Sequence, residues 1–114
     1  MQTQLNDFVP KHTFDCGQCF RWEENPDGSF TGIAGGRVVQ IAAKKSTVTI
    51  DGINEKDYND FWKKYLDAER DYSVIKKAVS INPAMETAVS CGTGIRILRQ
   101  DFTETLLSFI ISQR

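Results

Sequence analysis

Hydrophobic and polar positions follow one period in the first half of the chain and another in the second. Thr47-Val48-Thr49-Ile50 alternates polar and apolar, as a strand with one buried face does. Two further β-prone runs, residues 29–34 and 37–42, flank Gly35-Gly36, which predicts a tight hairpin. Asn25-Pro26-Asp27-Gly28 is a turn signal, because Pro fixes φ and Gly is free to take positive φ. Lys44-Lys45-Ser46 supplies another break. An antiparallel meander is expected over residues 28–50, with an extra strand drawn from residues 2–9.

From residue 54 onward the period lengthens. Tyr58, Phe61, Trp62, Tyr65 and Leu66 fall at i, i+3, i+4, i+7 and i+8, an apolar stripe wide enough to cover a sheet face, and Asn54 is placed to cap that helix. A shorter helix is expected over 71–80, with Tyr72, Ile75 and Val79 on one side. Asn82-Pro83 reads as a cap followed by Pro in the first turn; Met85, Ala88 and Val89 then share a face, and Gly92 ends the helix. Asp101 and Glu104 have capping-box spacing ahead of the final helix, whose Phe102, Leu106, Leu107, Phe109, Ile110 and Ile111 surround it instead of forming a stripe. Such a helix wants burial on most sides. The expectation is therefore that the native chain continues and that this helix docks between two domains. Strands first and helices after, packed on the sheet, give an α+β fold class.

Length and charge change the picture modestly. A chain of 114 residues fits one modest core. Fourteen basic against fifteen acidic residues give a net charge of −1, which argues against a free-standing nucleic-acid module, since phosphate binding favours a basic excess. Cys16, Cys19 and Cys91 are an odd set, which suggests a reducing compartment. Cys16 and Cys19 form a C-x-x-C, but no second pair follows and His12 is the only histidine, so two ordinary buried thiols are expected over a metal or redox site. No signal peptide and no apolar run of membrane-spanning length is present, and an intracellular, non-membrane protein is expected. Neither a nucleophile–base pair nor a phosphate loop can be argued, and Gly92-Thr93-Gly94 lacks the third glycine of a dinucleotide fingerprint. No catalytic residue, metal ligand or cofactor is assigned to the chain.

Two stretches carry more. Gly17-Gln18-Cys19-Phe20-Arg21-Trp22 resembles the G-Q-x-F-R-W signature of 8-oxoguanine DNA glycosylases. Leu98-Arg99-Gln100-Asp101, followed by Ser108-Phe109-Ile110-Ile111-Ser112, resembles the L-R-Q-D…S-F-I-x-S stretch that opens their helix-hairpin-helix domain. The order and spacing match, so the resemblance spans nearly the whole chain. It implies a twisted antiparallel sheet with flanking helices, similar to half of the TATA-binding protein. It also implies an amino-terminal domain over residues 1–100, with 101–114 as the first helix of a catalytic domain. The parent enzyme it implies flips 8-oxoguanine out of duplex DNA and cleaves its glycosidic bond. A lysine there forms a Schiff base with the sugar, an aspartate assists, and AP lyase cleavage can follow. Both residues are expected beyond Arg114, which leaves this chain inactive alone.

The resemblance also implies a role for Gly17, whose backbone carbonyl accepts a hydrogen bond from N7–H of the flipped base. Guanine N7 carries a lone pair in place of that proton, so a fixed carbonyl discriminates between the two. A turn glycine without a ligand is the plainer reading. Phe20 and Trp22 are expected as core anchors at alternate strand positions, with Arg21 solvated or ion-paired. Gln113 and Arg114 sit where the family places a loop that wedges into the DNA stack; many members have asparagines there, from which Arg114 departs. An exposed helix end is the plainer reading of these two. The implied partner is duplex DNA containing 8-oxoguanine, in a bacterial nucleoid or a nucleus, and self-association of the isolated chain is expected through residues 102–114. Two competing readings remain open: the equivalent domain of an alkylation-repair glycosylase, and a non-enzymatic interaction domain, which the acidic balance favours.

Overall fold

The computed structural model describes residues 1–113. Strands β1 (Gln2–Gln4), β2 (Trp22–Glu24), β3 (Phe30–Ala34), β4 (Arg37–Lys44) and β5 (Thr47–Asp51) form one antiparallel sheet in the order β1-β5-β4-β3-β2. The turn residues act as their chemistry requires. Gly35 and Gly36 both take positive φ, 59° and 72°, the geometry of a two-residue hairpin turn that closes the Ala34↔Arg37 pair. Alternation then sends Phe30, Val39, Ile41, Val48 and Ile50 to one buried face, with Phe30 opposite Ile41 and Ile41 opposite Ile50.

A helix over residues 55–65, α2, covers that face. It is α-helical at Glu55–Asp57, passes through a π-helical turn at Tyr58–Trp62 and ends at Lys63–Tyr65. Asn54 caps it in a reciprocal box with Asp57. The stripe is buried as the spacing requires at Tyr58, Trp62, Tyr65 and Leu66. Trp22 joins the layers. Its indole stacks on Phe14 with centroids 4.0 Å apart, meets Trp62 edge-on at 6.3 Å, and donates from Nε1 to Tyr65 Oη at 3.0 Å.

Several expectations change. The amino-terminal strand is only Gln2–Gln4. Asp7 turns the chain at φ 51°, and Pro10 opens an unforeseen helix, α1 (Pro10–Phe14), whose Thr13 and Phe14 are buried. Phe20 lies outside β2 and is 54% exposed, so only Trp22 of that pair anchors the core. Asp71 caps α3 (Tyr72–Val79), and Asn82 caps α4 (Pro83–Cys91), which ends at Gly92. These helices pack on each other and not on the sheet; only Tyr72 is buried. Asp101 caps α5 (Phe102–Ser112) through the Glu104 amide at 2.8 Å, but the box is half made, because the Glu104 carboxylate turns away to Arg21. No residue of α5 is buried; Phe102 and Ile111 are each 78% exposed. No described helix is long and apolar enough to cross a membrane.

Candidate functional site

Residues 15–21 form the loop between α1 and β2. Among the described residues, no backbone–backbone hydrogen bond involves residues 16–20, so side chains must hold this loop. Gln18 does most of it. Its Nε2 donates to the carbonyls of Thr13 at 2.8 Å and Arg96 at 2.7 Å, and its Oε1 accepts from the Leu98 amide at 2.9 Å. Both carboxamide N–H donors and the oxygen are thereby engaged. The Gln18 carbonyl in turn accepts from Gln100 Nε2 at 2.5 Å. Thr13 completes the latch: its hydroxyl donates to the Gly94 carbonyl at 3.0 Å and accepts from the Arg96 amide at 3.2 Å. Arg96 fixes the far side. Its guanidinium is buried over the Tyr72 ring at 4.5 Å and donates to the carbonyls of Asp67 and Asn6.

Gly17 projects from the clamped loop. It is exposed, its φ is +90°, and a methyl group built on its α-carbon would meet no atom within 4 Å. The position is therefore open where a side chain would stand, and its conformation is one that side chains disfavour.

The flanking cysteines differ in burial. Cys16 is exposed, against the expectation of two buried thiols, because the loop bends away from the core after α1; its Sγ rests on the Thr13 carbonyl at 3.3 Å. Cys19 sits on the Phe14 carbonyl at 3.5 Å, and burial pushes its thiol up to about 12, which keeps it protonated. No group of three or more His, Cys, Asp or Glu side chains is arranged to hold a metal among the described residues.

Beside the loop lies a cleft of about 720 Å³. Phe20, Arg21 and Trp22 form one wall, Phe61 and Tyr65 of α2 another, and Glu104 and Phe109 of α5 a third. Arg21 pairs with Glu104 at 2.8 Å, and Phe20 meets Phe109 edge-on at 5.2 Å. Burial pushes the Tyr65 phenol up to about 12 against the opposing hydrogen bond from Trp22, so this phenol stays protonated at neutral pH.

The sequence-derived site residues are not gathered in this cleft. Neither Gly17 nor Gln113 lines it, and no hydrogen bond joins the two. Gln113 is the exposed C-cap of α5, its amide donating to the Ile110 carbonyl at 3.3 Å; Arg114 lies outside the described residues. Sequence reasoning passed over Gln18, Gln100, Thr13 and Arg96. Gln18 and Gln100 each stood inside a recognised motif, and the pairing of the two motifs was the signal that would have joined them.

A family model described as 8-oxoguanine DNA glycosylase, N-terminal domain, matches residues 1–106. Among solved structures, MBOgg1 in complex with a low-affinity DNA ligand is 48% identical, with a TM-score of 0.96 over 99% of this chain and 39% of that one. The 8-oxoguanine glycosylase/lyase of Clostridium acetobutylicum in its apo form is 44% identical, with a TM-score of 0.90 over 98% of this chain and 42% of that one. The same enzyme in complex with double-stranded DNA containing cytosine opposite 8-oxoguanine is 43% identical, with a TM-score of 0.91 over 100% and 42%. The chain thus spans about two fifths of the length of these relatives. No curated protein matches it.

Proposed function

The chain belongs to the family of 8-oxoguanine DNA glycosylase N-terminal domains, and from that premise we propose that it is the substrate-recognition and scaffolding part of an enzyme that excises 8-oxoguanine from duplex DNA. The match over residues 1–106 favours this reading over an alkylation-repair domain or a free-standing interaction domain. One observation carries it: Gly17 is exposed, with open space at its α-carbon, in a loop fastened by the neighbouring Gln18. A carbonyl fixed there accepts from N7–H of 8-oxoguanine and opposes the N7 lone pair of guanine. Facing the wrong base leaves a desolvated acceptor unpaired, at a cost of about 1–3 kcal/mol.

The chemistry belongs elsewhere in this reading. The attacking lysine and its aspartate lie in a helix-hairpin-helix part beyond position 114, with residues 101–114 as its first helix and residues 1–100 as the recognition domain. AP lyase cleavage follows from the Schiff base formed there. Gln113 and Arg114 lead toward the DNA. The enzyme works inside the cell, in a nucleoid or nucleus, on DNA and without a membrane. The exposed apolar residues of α5 support self-association of the 114-residue chain alone.

The test uses a duplex carrying one 8-oxoguanine opposite cytosine. The enzyme that joins this domain to its helix-hairpin-helix part should excise the base and be trapped on the DNA by borohydride. The 114-residue chain alone should do neither. A trapped adduct on the 114-residue chain, or no excision by the joined enzyme, would overturn the reading.

A further inference from the structure

We propose that Gln18 is a positioning residue for base recognition: its carboxamide fixes the Gly17 loop to the segment that leads into α5. The inference rests on the function proposed above and deepens it. Among the described residues, none forms a backbone–backbone hydrogen bond with residues 16–20, so the position of the Gly17 carbonyl is set by whatever side chains hold its neighbours. Gln18 is the adjacent residue. It reaches Thr13 at the end of α1 on one side, and Arg96 and Leu98, about eighty positions later, on the other. Gln100 adds a second tie from the same segment to the Gln18 backbone. Two residues after Leu98 the chain reaches Gln100, and Asp101 then caps α5. The loop that presents Gly17 and the helix that runs to Gln113 are therefore set against each other by this carboxamide.

The other ties between loop and helix are weaker. The Arg21–Glu104 pair is half-exposed on both sides and screened by salt, and Phe20 and Phe109 meet at the surface. The Gln18 bonds are partly buried, and their geometry needs both the N–H donors and the carbonyl oxygen of an amide. Glutamate would set a carboxylate oxygen against two carbonyls. Methionine keeps the length and loses every bond.

The distinguishing experiment uses two substrates with the joined enzyme. A duplex containing 8-oxoguanine requires base recognition and chemistry; a duplex with a preformed abasic site requires the chemistry alone. Gln18→Met should slow excision of 8-oxoguanine about tenfold or more beyond any slowing at the abasic site. Gln100→Ala, which removes one outer tie, should show the same split more weakly and secures the test against misfolding of the first variant. Equal slowing on both substrates, together with a lowered melting temperature, would make Gln18 a fold-holding residue only and overturn the proposal. Unchanged rates on both substrates would overturn it as well. If the unaltered enzyme cleaves the abasic duplex but leaves 8-oxoguanine in place, the proposed function itself fails and takes this inference with it.

Discussion

Trp22 lies across Gly32, its cross-strand partner, so closely that a methyl group on Gly32 would overlap the indole ring. Trp22 also stacks on Phe14 and bonds to Tyr65, so it cannot withdraw without disturbing α1 and α2 together. Gly32→Ala should therefore destabilise the domain by about 1–3 kcal/mol, the usual cost of overpacking a core. Thermal or urea unfolding measures it. An unchanged midpoint would mean that the Trp22 ring has room to shift.

That contact also marks where sequence reading stops. The strands, the α2 stripe and the helix caps were legible because each depends on residues a few positions apart, such as Asn54 with Asp57 or Gly35 with Gly36. Trp22 was foreseen as a core anchor, but no local pattern shows which glycine lies beneath it. The same limit applies to the site. Gly17 was identified through its motif, whereas Gln18 acts on Leu98, eighty residues away, and looks in sequence like any polar loop residue. Alternation extended backward from Trp22 puts Phe20 in the strand, but the ladder to β3 begins only at Trp22.

The alkaline limb of stability should report Cys19 and Tyr65. Both groups titrate near 12 in the fold, raised from ordinary values of 9.0 and 10.0. A raised folded pKa gives a contribution that is complete below the unfolded value and lost as pH rises through the folded one. Stability should thus fall from about pH 9 upward, and in Cys19→Ala the fall should begin nearer pH 10, where Tyr65 takes over. Denaturant midpoints across that range decide it. Thiol labelling at neutral pH offers a second readout: Cys16 and Cys91, both exposed, should react well before Cys19. Equal labelling rates would contradict the burial that raises Cys19.

Asp67 should govern part of the acid limb. Burial alone would raise its carboxyl, but hydrogen bonds from Tyr72 and Arg70, with the charges of Arg70 and Arg99, outweigh it and hold the group below its ordinary value. Its contribution is therefore present above the unfolded carboxylate value, about 3.9, and is lost as pH falls through the lower folded one. Asp67→Asn tolerates the φ of 50° and removes the charge. The variant should be less stable at neutral pH and should lose less on acidification. A parallel pair of stability–pH curves would count against this network.

Helix α5 should make the 114-residue chain associate. Phe102, Leu106, Leu107, Ile110 and Ile111 are all exposed on its surface, and exposed apolar residues clustered on one helix favour association. Sedimentation should show concentration-dependent mass, and Leu107→Glu with Ile111→Glu should abolish it. A strict monomer at high concentration would remove the self-association proposal.

In the proposed function Gly17 reads the oxidised base through its backbone. The structure makes Gly17→Ala a clean variant: the added methyl meets no protein atom, and only the φ of +90° costs stability, about 1–2 kcal/mol. In the joined enzyme, single-turnover excision of 8-oxoguanine opposite cytosine should fall roughly 10- to 150-fold, since a base approaching the carbonyl would meet the methyl and lose a contact of about 1.5–3 kcal/mol. Thermal melting in parallel accounts for the strain. Undiminished excision by a folded Gly17→Ala enzyme would leave Gly17 as a turn residue and contradict base reading by its carbonyl.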